Sequence, residues 1–324
     1  MTYLSKSDIL RLLDQLKFEL ISNSPEQIIA KRDLTRPGIS PAISTVIVTA
    51  GRTSLIKCVE SVCNYDYSSF EVIVVFDRRK NLSYARNQGI RNSKGHLIHF
   101  IDDDAMPTVD NLSEMVRVWL SLWNRDSKIA GLQGFISHRT AWGTNKMITR
   151  ISLDFTGVNI ASMYGEALTD HVCTCNSLFS ADILRKIGGF DELFDYRYED
   201  VDVSFTIRHS GYSLYATQKG HADHLAESSK SDDNVSNLVD HAMKNSVILF
   251  YKWEKKSTFL LYIVCMCMSK LVRVFLNMIV LNKRGIQGNL IMLPGIVAGL
   301  GELPKKSRTS CTNVSLSNLA AARK

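Results

Sequence analysis

Between residues 44 and 102, short apolar runs alternate with helical patterns, and this alternation constrains the fold most strongly. The runs lie at 44–50, 70–77 and 96–102, and the helical patterns between them lie at 53–64 and 82–93. Each run is rich in β-branched residues and apolar throughout, so both faces of a sheet built from such strands must be covered. The pattern predicts an α/β fold with a mostly parallel, Rossmann-like central sheet and helices on both of its faces.

Three consecutive carboxylates, Asp102, Asp103 and Asp104, follow the third run in the stretch HFIDDDAMP. Two unit charges about 4 Å apart repel by about 4 kcal/mol at the dielectric of a protein surface. A divalent cation, several backbone N–H groups or full solvation could offset that repulsion. Ligands of open α/β sheets bind at the carboxyl ends of the strands, and a hard cation held there could neutralise a leaving diphosphate. The stretch therefore indicates a metal site, with an Asx-turn or helix N-cap as the alternative.

A second acidic cluster, Glu199, Asp200 and Asp202, begins the helix predicted in YEDVDVSFTIRHSGY. Carboxylates in the first turn stabilise a helix through its dipole, and this capping role is the preferred interpretation of Asp202. A buried acid at this position could instead accept a proton from an attacking hydroxyl group. No glycine-rich dinucleotide or P-loop motif follows any of the strands, so a nucleotide would have to be held by strand-end residues such as Asp77.

The positive charge of the chain is concentrated near its end. The formal net charge is +7, and the stretch from Lys252 to Arg284 alone contains seven Lys or Arg residues and one acid. The rest of the chain is close to neutral. This distribution argues against a nucleic-acid-binding protein with an extended basic face.

The seven cysteines and the start of the chain indicate the compartment. No two of the cysteines have the C-x-x-C spacing of a zinc site. Their odd number, and the apolar surroundings of Cys265 and Cys267, favour a reducing compartment. The stretch MTYLSKSDILRLL lacks the basic and apolar regions of a signal peptide. We therefore expect a cytoplasmic location.

An apolar run at 259–281 is long enough to span a membrane. Lys270, Arg273 and Asn277 interrupt it at helical spacing, so they share one face of a helix. A polar stripe of this kind, with basic residues on both sides of the run, is typical of a helix that lies in the interface of an anionic membrane. The alternative is a soluble helical hairpin packed on the preceding domain.

The region from Ser44 to about Ser229 resembles the inverting glycosyltransferases of family 2, which have the GT-A fold. The matching pieces, in order, are TVIVTAGRTSLIKCVESV, LSYARNQGI, HFIDDDAMP, NSLFSADILRKIGGFDE, YEDVDVSFTIRHSGY and HADHLAESS. The hydrophobic C-terminal segment is similar to the tails of bacterial members, rhamnosyltransferases among them, that glycosylate lipid-linked or surface-polysaccharide acceptors.

The resemblance implies roles for individual residues. Asp102 and Asp104 fall on the metal-binding D-x-D motif, and His224 falls on a histidine that completes a Mg²⁺ or Mn²⁺ site, with His221 as its rival. Asp200 falls on the catalytic base. Contacts with the nucleotide-diphosphate sugar or with the acceptor are implied for Thr49, Asp77, Arg86, Asp102, Asn176 and Glu199.

The resemblance also implies an organisation and a reaction. We predict an N-terminal helical extension at 1–40, a GT-A domain at 41–250, and a membrane-associating helical segment at 251–324. The protein would act at the inner face of the cell membrane and transfer a sugar to a hydroxyl of a glycan or lipid-linked acceptor. Arg78 to Lys80 follow Asp77 where the family often has Asp-Gly-Ser, which leaves the nucleotide open. The alternatives are a sugar-phosphate nucleotidyltransferase and a membrane-recruited protein with an inactive site.

Overall fold

The structure, a computed structural model, describes residues 3–37, 42–79, 81–138, 148–151, 157–160, 165–225, 232–253, 256–279, 290 and 292–306. The chain divides into two compact units. The first comprises Met1–Ile151, Gly157–Asp195 and Glu199–Glu227, and the second comprises Ser152–Thr156, Tyr196–Tyr198 and Ser228–Lys324. The boundaries that the sequence predicts at residues 40 and 250 stay predictions.

Helices and strands alternate over most of the first unit. The described helices are α1 (Lys6–Gln15), α2 (Leu55–Cys63), α3 (Leu82–Asn92), α4 (Asn111–Arg125), α5 (Ala181–Lys186), α6 (Glu199–His209), α7 (Asp232–Trp253), α8 (Lys256–Ile279) and α9 (Met292–Lys306). The described strands are β1 (Glu19–Asn23), β2 (Gln27–Asp33), β3 (Ile43–Thr49), β4 (Phe70–Asp77), β5 (Leu97–Asp102), β6 (Ala105–Pro107), β7 (Ile129–His138), β8 (Ile148–Ile151), β9 (Gly157–Ile160), β10 (Ala167–Leu168), β11 (Asn176–Ser180) and β12 (Ser213–His224).

A ten-stranded mixed sheet forms the centre of the first unit. Its order is β1-β2-β4-β3-β5-β11-β7-β12-β10, and β6 pairs with β12 outside this path. Strand β3 runs parallel to β4 and β5, and β12 runs parallel to β7. The pairs β1–β2, β2–β4, β5–β11, β11–β7, β12–β10 and β12–β6 are antiparallel. The α/β prediction is confirmed, but the expected mostly parallel sheet is in fact mixed, because β2 and β11 run antiparallel to their neighbours and β12 pairs antiparallel with β6 and β10.

Both faces of the sheet are covered, as the continuous apolar strands predict. In β4, Val72 and Val74 belong to one buried cluster while Ile73 and Val75 belong to the other. The first cluster takes in apolar residues of α1, α2 and α4, and the second takes in residues of α3, α5 and α6. Since β3, β4 and β5 share one direction, the residues that end these strands meet at one edge of the sheet.

The N-terminal region is only partly helical. The spacing of apolar residues over 4–22 predicts one helix, but α1 ends at Gln15 and residues from Glu19 form β1. Lys17 takes a left-handed conformation with φ 58°, and the Phe18 N–H donates to Leu13 O at 2.8 Å, which turns the chain away from the helix axis. Because β2 then pairs with β4, this region extends the central sheet and is not a purely helical extension.

The second unit contains α7, α8 and α9. Val247, Met266 and Ile296, one from each helix, are buried together. Residues Thr258–Ile279 have a mean hydropathy of 2.0, and this segment is long and apolar enough to cross a membrane by length and composition. Its exposed apolar side chains are Leu260, Leu261, Val264, Met268, Leu271, Val272, Phe275, Leu276, Met278 and Ile279.

The predicted polar stripe of α8 is described in part. Asn277 Nδ2 donates to Arg273 O at 2.7 Å, one helical turn earlier. The side chain of Lys270 and the basic pair at 283–284 lie outside the described residues. Trp253, at the end of α7 just before the apolar run, is only 6% exposed.

Candidate active site

Two of the three consecutive carboxylates contact Thr49, at the end of β3, and Arg52, in the loop that follows it. Asp102 ends β5, and Asp103 and Asp104 form the turn before β6. Arg52 Nη1 lies 3.0 Å from Asp103 Oδ1 and 2.6 Å from Asp104 Oδ2, and Thr49 Oγ1 donates to Asp103 Oδ2 at 2.6 Å. Burial outweighs both partners and raises the pKa of Asp103 to about 6. Arg52 therefore offsets much of the repulsion that the sequence presents.

His224 joins the same turn from the end of β12. His224 Nε2 lies 3.3 Å from Asp104 Oδ1, and the Leu225 N–H donates to Asp104 O at 2.8 Å. Burial acts to raise the pKa of Asp104, but the hydrogen bond with His224 and the charge of Arg52 outweigh it and hold that pKa below its ordinary value. The same hydrogen bond raises the pKa of His224. The rival His221 instead lies 3.5 Å from Asp223 Oδ1 and is half-exposed.

Two of the predicted metal ligands, Asp102 and His224, lie close enough to share one ion. Single ligand atoms of Asp102, Cys175 and His224 lie within 4.8 Å of one another, and Asp104 contacts His224. The sequence does not indicate that Cys175 lies at this site, because its position depends on the pairing of β11 with β5. Burial raises the pKa of its thiol far above the ordinary value, so the thiol stays protonated. Two carboxylates and one imidazole suit a hard divalent cation such as Mg²⁺ or Mn²⁺.

Arg86 on α3 connects the carboxylate turn to the second acidic cluster. Its Nη1 lies 2.7 Å from Glu199 Oε1, and its Nη2 lies 3.5 Å from Asp102 Oδ1. The side chains of Arg86 and Glu199 are only 4% and 6% exposed. Burial raises the pKa of Glu199 against the opposing charge of Arg86. The Arg86 guanidinium thus contacts one carboxylate at the end of β5 and one at the start of α6.

Asp200, next to Glu199, has a histidine partner that the sequence does not reveal. His171 Nε2 lies 2.9 Å from Asp200 Oδ2, and the Val201 N–H donates to Asp200 Oδ1 at 2.9 Å. Burial acts to raise the pKa of Asp200, but the charge and hydrogen bond of His171, followed by the charge of Arg86, hold it below its ordinary value. The side chain of Asp200 is 19% exposed, so the ionised carboxylate can be reached by a small group.

Asp77 lies at the end of β4 with its carboxylate already engaged. It accepts hydrogen bonds from the backbone N–H and Nε of Arg79 at 3.0 and 2.9 Å. The Arg79 guanidinium also lies 3.9 Å from the ring centroid of Tyr84. A nucleotide base or ribose at this position would therefore contact Asp77 and Arg79 together.

Asn176 is placed differently from the other predicted contact residues. It is fully buried, and its Nδ2 donates to Asn111 Oδ1, Phe135 O and Gly220 O at 2.9–3.1 Å. His99 Nε2 lies 3.0 Å from Asn176 Oδ1. With no exposed surface and both amide atoms engaged, Asn176 fastens β11 to its neighbours, and the structure gives it no face for a substrate.

Comparison with known proteins gives a family for part of the chain. Residues 75–188, roughly a third of the chain, match the sequence model of Glycosyl transferase family 2. These residues contain Asp77, Arg86, the three carboxylates at 102–104 and Asn176. No curated protein matches the chain by sequence.

Solved structures share the fold. The structure of GalNAc-T7 with UDP, GalNAc and Mn²⁺ is 14% identical, with a TM-score of 0.51 over 68% of this chain and 49% of that chain. The present chain therefore spans about half the length of GalNAc-T7.

Two further structures have lower scores. The mannosyltransferase PcManGT from Pyrobaculum calidifontis, in complex with GDP-Man and Mn²⁺, is 12% identical with a TM-score of 0.48 over 92% of this chain and 94% of that chain. A197 from STIV is 14% identical with a TM-score of 0.40 over 57% of this chain and 86% of that chain. The family match over residues 75–188 and the GT-A fold together support a glycosyltransferase.

Proposed function

We propose that this protein is a metal-dependent, inverting glycosyltransferase that moves a sugar from a nucleoside-diphosphate donor to a hydroxyl of a glycan or lipid-linked acceptor. The observation that carries the proposal is the bridge made by Arg86, which holds Asp102 of the candidate metal site and Glu199 beside the candidate base. A one-step displacement needs both groups in one site, one beside the leaving group and one beside the nucleophile.

The residues divide into two roles. Asp102, Asp104 and His224 would hold Mg²⁺ or Mn²⁺, which when bound would neutralise the charge of the departing diphosphate. Asp200 would accept the proton of the acceptor hydroxyl while that oxygen attacks the anomeric carbon. The proton passes to the carboxylate, the bond to the diphosphate breaks, and the single displacement inverts the anomeric centre. Thr49 and the Asp77–Arg79 pair would contribute to the nucleotide site.

The proposal is tested with a panel of UDP-, GDP- and dTDP-sugars, each incubated with the protein and Mn²⁺ or with EDTA. Release of nucleoside diphosphate that stops in EDTA is the expected result. Release of pyrophosphate from a sugar phosphate and a nucleoside triphosphate would identify a nucleotidyltransferase instead. Neither product from any donor, with the protein folded and metal present, would overturn the enzymatic proposal.

We further propose that α8 attaches the protein to the inner face of the cell membrane. This rests on the exposed apolar side chains of α8 and on the seven basic residues between Lys252 and Arg284. Each basic residue near an anionic surface contributes about 1 kcal/mol to binding. Attachment would also raise the effective concentration of a lipid-linked acceptor.

Co-sedimentation with liposomes tests this second proposal. The full chain should pellet with phosphatidylserine-containing vesicles and be partly released in high salt, while neutral vesicles bind less. A matched variant, Phe275→Glu with Leu276→Glu, places charge on the exposed apolar face and should stay in the supernatant. A full chain that ignores anionic vesicles and remains monodisperse without detergent contradicts membrane attachment.

A further inference from the structure

The segment Asp170–Val172 lies along α6 and fixes the orientation of that helix. Arg208 Nη2 lies 3.2 Å from Asp170 Oδ1, and the Val172 N–H donates to Ser204 Oγ at 3.1 Å. Arg208 and Ser204 are four residues apart, so they lie on one face of the helix. The segment therefore lies along a single stripe of α6.

His171 occupies the middle of this segment and contacts the next residue of the same stripe, Asp200, four positions before Ser204. The residue is 8% exposed, and both of its ring nitrogens are buried. Nε2 lies 2.9 Å from Asp200 Oδ2 and is the ring nitrogen that faces this carboxylate. Nε2 is therefore the nitrogen that can donate to Asp200.

We propose that His171 is a positioning residue for Asp200, and that its Nε2–H holds this carboxylate in one orientation and in the ionised form. The inference rests on the proposed role of Asp200 as the base. The proton taken from the acceptor hydroxyl goes to Asp200, and His171 keeps its own. The clamps at Asp170 and Val172 prevent the imidazole from following the carboxylate if it rotates, which preorganises the pair before an acceptor arrives.

The charges around Asp200 agree with this role. Arg86 on α3 lowers the pKa of Asp200, while Glu199 of α6 and the buried thiol of Cys173 face it as groups that are repelled when ionised. Burial also disfavours the ionised form, and the contribution of His171 against burial exceeds that of Arg86. Loss of His171 therefore moves the pKa of the base upward, and with it the acidic limb of the pH–rate profile.

Two substitutions separate positioning from packing. The amide nitrogen of glutamine can reach the place of Nε2, whereas that of asparagine ends near the place of Nδ1 and cannot reach Asp200. With the nucleotide sugar and Mn²⁺ that give activity in the panel, His171→Asn should lower kcat about tenfold at pH 7 and move the acidic limb of the pH–rate profile to higher pH. Donor KM should stay unchanged, and His171→Gln should recover most of the activity. His96→Asn, at an exposed position outside the site, serves as the control.

The outcomes distinguish this inference from the proposed function. If His171→Asn folds and retains the kcat and acidic limb of the unmodified protein while Asp200→Asn is inactive, His171 has no positioning role and the base assignment survives. If Asp200→Asn retains kcat, the base assignment itself is wrong. Should His171→Asn fail to fold, Arg208→Gln loosens the same clamp without changing the ring. It should lower kcat at constant donor KM, and an unchanged kcat would overturn the inference.

Discussion

The two acidic clusters of the site contain the same components in different surroundings. In the turn after β5, Asp103 and Asp104 contact Arg52, and Asp104 also contacts His224. The side chains of Asp102 and Arg52 remain 35% and 27% exposed there. This cluster can exchange an arginine contact for a ligand.

At the start of α6, Glu199 contacts Arg86 and Asp200 contacts His171. The Arg86–Glu199 pair is almost fully buried, and only Asp200 retains access to solvent. The difference teaches that one arginine, one histidine and a few carboxylates can leave a cluster partly open to solvent at one place and bury an ion pair at another.

The largest expected loss of activity comes from a substitution in the acidic cluster of the turn after β5. Asp104→Ala removes a carboxylate that faces both Arg52 and His224, and we expect activity to fall below detection because the metal loses a ligand. Stability should fall slightly, since Arg52 and His224 hold the pKa of Asp104 below its ordinary value and so favour the ionised carboxylate in the folded state. Urea unfolding measures stability, the nucleoside diphosphate assay measures activity, and isothermal titration measures Mn²⁺ binding. Asp14→Ala, an exposed carboxylate of α1, is the control, and retained Mn²⁺ binding by Asp104→Ala contradicts the metal role.

A substitution in the acidic cluster at the start of α6 should lower kcat and leave donor binding unchanged. Asp200→Asn keeps the shape of the side chain but removes the proton acceptor, and a loss of about 10²–10⁴ in kcat is expected. Donor affinity, measured by equilibrium binding with Mn²⁺, should hardly change. Asp182→Asn, also in the first turn of a helix and 85% exposed, should be neutral. A parallel collapse of donor affinity would make Asp200 a binding residue and direct the search for the base to Glu199 or Asp202.

Replacing each arginine tests the difference in burial directly. Arg86→Leu leaves Glu199 buried without its partner, and we expect a loss of about 3–5 kcal/mol in the free energy of unfolding. Arg52→Leu acts on a partly exposed pair and should cost about 1 kcal/mol. Urea unfolding of the two variants gives both values. Equal losses would mean that the two clusters do not differ in the way their exposures indicate.

His99 differs from His171 and His224 because its partner is the amide of Asn176 and not a carboxylate. Burial lowers its pKa to about 4 despite the hydrogen bond with Asn176, against about 6.5 for an unfolded chain. The unfolded state therefore binds a proton that the folded state does not. This contribution to stability is complete above pH 6.5 and is lost as the pH falls from 6.5 to 4.

The matching variant is His99→Gln. Between pH 6.5 and 4, its free energy of unfolding should depend less steeply on pH, by about 1.4 kcal/mol per pH unit, than that of the unmodified protein. Urea unfolding at several pH values measures the two slopes. Identical slopes would mean that His99 has the same pKa in the folded and the unfolded protein.

Strand periodicity is a local property, and the elements that depend on it are predicted well from the sequence. The runs at 44–50, 70–77 and 96–102 are β3, β4 and β5, and the acids that follow them lie at the strand ends. Residues 4–22 are predicted less well. Leu20 fits the helical spacing, but it lies half-exposed on β1 because Lys17 turns the chain.

The partners of the predicted site residues could not be read from the sequence. His171 precedes Asp200 by 29 positions, and the segment that carries it has no periodic pattern. The positions of Cys175 and Asn176 depend on β11, which lies between β5 and β7 in the sheet and runs antiparallel to both. Residue types at strand ends suggest chemistry, whereas their contacts depend on pairing between distant segments.

The pairing of β6 with β12 also sets the order in which the open cluster is completed as the chain is made. Asp104 and His224 are 120 residues apart, a gap that a ribosome crosses in on the order of ten seconds. Arg52 and Thr49 are synthesised before the carboxylates, so both are already in the chain when the acidic turn leaves the exit tunnel. The imidazole arrives only when His224 pairs opposite Ala105. A nascent chain therefore contains the acidic turn and Arg52 first, and it gains the last candidate metal ligand only when β12 has been made.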